Sequence, residues 1–184
     1  MGIPFTQHIN QVSDTETRDV LFAVLGAVKA ELEAIHGDSI INATTLSTGS
    51  TTTNVATTAF QYRIDGVTYA KAAVTAGTAL GITDTINTGT ATGSFWGGFA
   101  AQINAAGTIS FKAAATDQVE TTEGAARVEA MDIAADAGNV IIGHFTVQAN
   151  ADSAWVAGTD DLTAASDCQA VNYYSVASSL TLTD

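Results

Sequence analysis

Leu21, Leu25, Val28, Leu32 and Ile35 recur at spacings of 4, 3, 4 and 3 residues. Only an α-helix brings such positions onto one stripe, and this alternation is the a/d seam of a coiled coil. The flanks agree with that reading. Ser13-Asp14-Thr15-Glu16 forms a capping box, with the Ser13 hydroxyl accepting from the Glu16 amide and the Glu16 side chain reaching back. Asp14, Glu16 and Asp19 put negative charge at the positive end of the helix dipole, and Gly37 supplies the residue that ends it. The sequence therefore predicts a self-associating helix over residues 14–37. A helix of about two heptads is marginal alone in water, so its stripe must be buried on something.

The neighbouring stretch of chain determines the partner. Residues 38–58, with the core NATTLSTGSTTTNVATT, are rich in Thr, Ser and Gly and poor in large apolar side chains. They read as a linker, which leaves the helix no neighbouring face in its own chain. The expectation is a short trimeric coiled coil with Leu21, Leu25, Val28, Leu32 and Ile35 at its axis. Residues 1–13 read as an extended arm, because Pro4 biases Ile3 away from helix and no periodicity is visible. Met1–Thr6 formally fits a myristoylation pattern, but Pro4 is atypical there. Asn42-Ala43-Thr44 is a glycosylation triplet by pattern only.

From residue 59 the texture becomes β. Phe60–Ile64 alternates, Asp65-Gly66 follows, and Val67-Thr68-Tyr69 returns, the strongest short-range hairpin signal. A two-residue loop pairs Ile64 with Val67 and Tyr62 with Tyr69. Residues 70–94 read as a loop with one short strand. A second hairpin is expected over 95–112, with Phe99, Ala101 and Ile103 answered by Ile109 and Phe111 across a turn at Gly107. Residues 122–136 read as a helix capped by Thr122, with Ala125, Val128, Met131 and Ala135 as its apolar stripe and Gly138 as its stop. Val140–Val147 is a strong strand, Trp155-Val156 a short one, and Val171–Val176 the last. The predicted fold is α+β, mainly β: an N-terminal helix linked to a small β-rich domain, residues 59–184, with one helix and six or so strands.

Chemistry leaves few marks. No P-loop, Gly-x-Ser-x-Gly elbow or His-Glu-x-x-His occurs, and His8, His36 and His144 have no second ligand at metal spacing. Cys168 is the only cysteine, so it makes no intrachain disulfide, and no Lys, Arg or His adjoins it to activate the thiol. Asp160-Asp161 reads as a turn rather than a calcium site. The expectation is no catalysis, no cofactor and no metal. A net charge of −13 disfavours nucleic acid and anionic membrane surfaces. No run of 18 apolar residues spans a membrane, and the first ten residues do not read as a secretory signal. Trp155, Tyr173 and Tyr174 are the candidate rings for stacking on a sugar, although a domain this rich in Ala is expected to need its few large rings inside.

The order of blocks from Phe60 to Val176 carries a resemblance. Phe60–Lys71 (FQYRIDGVTYAK), Gly97–Thr108 (GGFAAQINAAGT), the Ala-rich helix around Glu123–Ala135, Val140–Val147 (VIIGHFTV), Trp155–Thr159 and Tyr173-Tyr174-Ser175 succeed one another. This resembles tailed-bacteriophage virion structural proteins of the head-decoration or head-fibre type. The resemblance covers about two thirds of the chain and does not include the N-terminal helix or the Thr-rich stretch. It implies assembly onto the virion surface, a homotrimer, a capsid protein of the same particle as partner, and no catalytic residues. Ile3, Phe5 and Ile9, an apolar set with no place in the predicted fold, are then the expected capsid attachment. The competing expectation is a carbohydrate-binding attachment module that uses Trp155, Tyr173 and Tyr174.

Overall fold

A computed structural model describes residues 15–87, 94–115 and 117–176. The chain divides into two compact units, Met1–Gly37 and Asp38–Asp184. The predicted arm, with Ile3, Phe5, Ile9 and the Ser13 cap, lies outside the described residues.

In the first unit, α1 runs Thr15–His36 as one uninterrupted helix. In the second unit the strands are β1 Ser39–Asn42, β2 Leu46–Thr48, β3 Asn54–Thr57, β4 Phe60–Ile64, β5 Val67–Lys71, β6 Val74–Ala79 and β7 Thr85–Ile86. They continue with β8 Trp96–Asn104, β9 Ile109–Ala113, β10 Asp117–Gln118, β11 Asn139–Ala149, β12 Trp155–Val156 and β13 Cys168–Ser175. The helix α2, Glu123–Asp132, lies between β10 and β11. The main sheet has the order β13-β11-β8-β9, and three small sheets are ordered β1-β4-β5, β2-β3-β6 and β10-β7-β12. The chain is thus mainly β with two helices.

The stretch predicted as a linker is part of this second unit, which begins at Asp38 rather than at residue 59. Three of its few large side chains, Ile40, Leu46 and Val55, are buried in the core, and residues 39–57 supply three strands. The reason is the threonine itself. A β-branched side chain suits a pleated strand, and its hydroxyl can bond a neighbouring segment when buried. Thr44 shows this, with its Oγ1 donating to the Thr58 carbonyl at 3.2 Å while the Thr45 amide donates to Thr58 Oγ1 at 2.9 Å. Residues 70–94, expected as loop with one strand, likewise contribute the end of β5 and all of β6 and β7.

Both hairpins obey their turn chemistry. Asp65 and Gly66 sit at φ 50° and 75°, the left-handed pair that a two-residue hairpin loop needs. Ile64 pairs with Val67 and Tyr62 with Tyr69, and the two tyrosine rings stack at 5.3 Å. In β8-β9 the turn closes with the Gly107 amide donating to the Asn104 carbonyl at 2.9 Å. Tyr62 ties the two hairpins together, its hydroxyl donating to the Asn104 carbonyl at 3.0 Å.

The main sheet has two unlike faces, because residues paired across antiparallel strands share a face. One carries Phe99, Phe111, Phe145 and Tyr173. Phe99 and Phe145 stack at 5.0 Å, while Phe111 meets Phe145 edge-on at 6.1 Å. These rings join Ile40, Leu46, Val55, Phe60, Tyr62 and Ile86 of the small sheets in one core. The other face carries Gly98, Ala100, His144 and Thr146, paired as His144–Ala100 and Thr146–Gly98. Small residues on this face let α2 come close.

That close approach overturns the predicted stripe of α2. Ala126 and Ala130 are the buried positions, whereas Val128 and Met131 are 60% and 53% exposed. A Cβ on Gly98 would collide with the Ala126 carbonyl oxygen and stand 3.0 Å from Ala130 Cβ. The helix lies too near the sheet for Val or Met to fit between them. Thr122 caps it as predicted, its Oγ1 accepting from the Ala125 amide at 3.2 Å. The helix stops at Asp132, earlier than expected, because Ile133 is already extended.

Candidate functional site

The residues with functional potential fall into three sets: the α1 stripe, the aromatic rings and the acidic turn. They are built by different parts of the chain.

On α1, Leu21 and Leu25 are half-buried and Val28 is exposed. The side chains of Leu32 and Ile35 lie outside those described. The apolar surface is wider than the seam. Val20, Phe22 and Val24 are also exposed, at 62%, 41% and 55%. With Leu25 as an a position, Phe22 and Val24 fall at e and g, flanking the seam on both sides. Large apolar side chains left in water on one helix mark a surface that gains free energy by association.

The rings are placed otherwise. Trp155 is fully buried, edge-on to Phe99 at 5.6 Å, with its indole N–H donating to the Asp161 carbonyl at 3.4 Å. It offers no face to a sugar, so the expected glycan contact at Trp155 is corrected. An Ala-rich domain has few large side chains with which to fill its interior, and the indole is one of them. Tyr173 and Tyr174 are consecutive strand residues and so point to opposite faces. Tyr173 packs on Phe145 at 5.9 Å, with its hydroxyl hydrogen-bonded to Thr48 Oγ1 at 2.8 Å. Tyr174 faces α2, donates to Glu123 Oε1, and carries the Arg127 guanidinium 4.5 Å above its ring. Burial pushes both phenols up. The three rings do not converge. Tyr174, Glu123, Arg127 and Thr146 instead fasten α2 to the sheet, with the Thr146 hydroxyl donating to Glu123 at 3.4 Å.

The acidic turn is a structural hub. Asp161 Oδ1 accepts from the Thr163 amide and hydroxyl, both at 2.6 Å, and its Oδ2 accepts from the Thr52 hydroxyl at 2.6 Å. These bonds favour the charged form and hold the carboxyl down at about 2, the Thr163 hydroxyl contributing most. Asp160 accepts from the Val156 amide, and Asp167 from the Asp161 amide. Their carboxylates are engaged by the loop itself, and the Leu162 amide ties it to Thr52 of the β2–β3 turn at 2.9 Å. Beside it, Cys168 is pushed up to about 11 by burial and by the charges of Asp161 and Asp167. A thiol so raised is a poor nucleophile. Burial lowers His144 below its usual range. Among the described residues, no group of three or more His, Cys, Asp or Glu could hold a metal ion, and no helix is long and apolar enough to cross a membrane.

A groove of about 400 Å³ beside the end of α2 is lined by Lys112, Glu129, Asp132 and Ile133. Lys112 is spent there, donating to the Ala134 carbonyl at 2.9 Å and to Asp136 at 2.8 Å. That pairing, with Gln102, holds the Asp136 carboxyl low. Burial and the neighbouring Glu120 carboxylate raise Glu129.

The chain matches no protein-family model, no curated protein and no solved structure. Sequence reasoning missed the exposed apolar positions of α2 and Val119, which is 49% exposed. The signal was Gly97-Gly98, since adjacent glycines in a strand mark close approach from both faces. Gly97 abuts Ile86 and Gln118, and Gly98 abuts α2.

Proposed function

We propose that this protein is a non-enzymatic structural component of a bacteriophage particle that decorates or projects from the capsid as a homotrimer. The observation that carries the reading is α1, a helix whose apolar stripe leaves Val20, Val24 and Val28 about half exposed or more. A trimer buries the seam at its axis, and Phe22 and Val24 at the flanking positions widen the contact beyond what two helices cover. The block order from Phe60 to Val176 supports the virion setting, and the arm with Ile3, Phe5 and Ile9 is the anchor on the capsid protein. The second unit is the displayed part. Asp160, Asp161 and Asp167 are engaged by loop hydrogen bonds, Phe99, Phe111, Phe145 and Trp155 fill the core, and the remaining acidic surface stays hydrated.

The test is a truncation lacking residues 1–12, mixed with particles stripped of the protein. The intact chain re-decorates them and the truncated chain does not. Equal decoration by both forms places the anchor elsewhere, and binding by neither removes the capsid role.

A further inference from the structure

His144 lies on the face of the main sheet that α2 covers. Its partner on β8 is Ala100, which strand alternation puts on the side of Gly98, and Gly98 abuts the Ala126 carbonyl and Ala130 of α2. Its partner on β13 is Tyr174, whose ring lies under the Arg127 guanidinium of α2. Two residues along β11, Thr146 bonds Glu123 in the first turn of α2. The His144 side chain is only 8% exposed, and among the described residues its imidazole makes no hydrogen bond. Burial holds it below the ordinary histidine range.

The charged groups around the imidazole are already engaged or carry the sign it would acquire. From α2, Arg127 is a cation, and Glu123 Oε1 accepts from the Tyr174 and Thr146 hydroxyls. From β13 the neighbour is the Tyr174 phenol, and from β8 the uncharged Ala100. In the same row on β9, opposite Ala100, Lys112 pairs with Asp136 of the loop after α2. The other acids of α2, Glu129 and Asp132, line the groove beside Lys112. α2 itself buries only Ala126 and Ala130, so it can leave the sheet without opening the ring-filled core on the opposite face.

We propose that α2 is an acid-released flap, driven off the main sheet by protonation of His144 while the aromatic core on the other face stays closed. A charged imidazole in this position has to reach water, and α2 stands in its way. The sign follows from the lowered proton affinity of the closed form. Closure is at full strength above the ordinary histidine value of about 6.5 and weakens as pH falls below it, because the open form takes up a proton that the closed form refuses. The Asp136 carboxyl, held low by Lys112 and Gln102, keeps its charge in that window, so the opening starts at the imidazole. Opening uncovers Gly98, Ala100 and the inner face of α2, a surface of small residues that is shut at neutral pH.

Hydrogen exchange of the full chain, read by mass spectrometry and corrected for its intrinsic pH dependence, tests this between about pH 7.5 and about pH 5. Residues 123–132 open more often as pH falls, by up to about tenfold per pH unit below about 6.5, while the Phe60–Lys71 hairpin keeps its protection. His144→Gln abolishes this pH dependence and His36→Gln preserves it. Equal protection of α2 at both pH values, the same loss in His144→Gln, or simultaneous loss in the hairpin overturns the proposal. Should His144→Gln not fold, the imidazole resonances of His144 in the intact chain decide. Titration below about 6.5, with the α2 amides shifting over the same range, supports the flap, and titration with α2 unmoved overturns it.

Discussion

The two helices treat apolar surface in opposite ways. α1 is 22 residues long and leaves Val20, Phe22, Val24 and Val28 exposed, whereas α2 is 10 residues long and buries only Ala126 and Ala130. Small side chains let α2 lie against Gly98, and contact is gained from the closeness of approach rather than from bulk. α1 carries bulk that is left exposed in the single chain. Counting apolar residues therefore does not say which face of a helix is buried. The space offered by the opposing surface does, and for α2 that surface is a strand with two adjacent glycines.

The largest expected effect tests the sheet beneath α2. Phe145→Ala removes the ring that touches Phe99, Phe111 and Tyr173, at a cost of about 3–5 kcal/mol in denaturant unfolding. A smaller loss than that of any α2 variant would mean that the rings are not the main core. Next is Gly98→Val, which forces α2 off the sheet and costs about 1–3 kcal/mol. The sharper readout is loss of protection in hydrogen exchange at Ala126 and Ala130 with β8–β9 still protected. Full protection in the variant would break the close-approach account.

A smaller effect is expected at the acidic turn. The folded Asp161 carboxyl is lowered to about 2, so its contribution is present above the ordinary carboxylate range and fades as pH falls through about 2. The protein should lose stability between about pH 4 and pH 2 relative to Asp161→Asn, measured by thermal midpoint in acid. A constant difference across that window would contradict the hub. The smallest effect is at Val128→Ser, on the outer face of α2, where stability should stay within about 0.5 kcal/mol.

Legibility in the sequence tracked the range of the interaction. Asp65-Gly66, Thr122 and Gly107 act over a few residues, and the hairpin register, the cap and the turn stand where their chemistry puts them. The β character of Val140–Val147 was legible because its β-branched and aromatic residues cluster, and a central strand buried on both faces need not alternate. The Thr-rich stretch misled because a linker and a Thr-rich strand share a composition. Only partners far along the chain, such as Asp161 for Thr52 and Tyr173 for Thr48, distinguish them. Trp155 is buried, as expected where an Ala-rich domain has few large rings for its core, but its packing on Phe99 and its bond to the Asp161 carbonyl were not legible, because neither adjoins it in sequence.

If two further copies of α1 cover its exposed stripe, sedimentation equilibrium of the full chain gives a species of three chains, each of 18.8 kDa. In Leu25→Asp this falls to a single chain, because an unpaired carboxylate cannot be buried at the axis, and the thermal midpoint of the second unit is unchanged. A chain that remains monomeric at high concentration, with residues 15–36 helical, would contradict it.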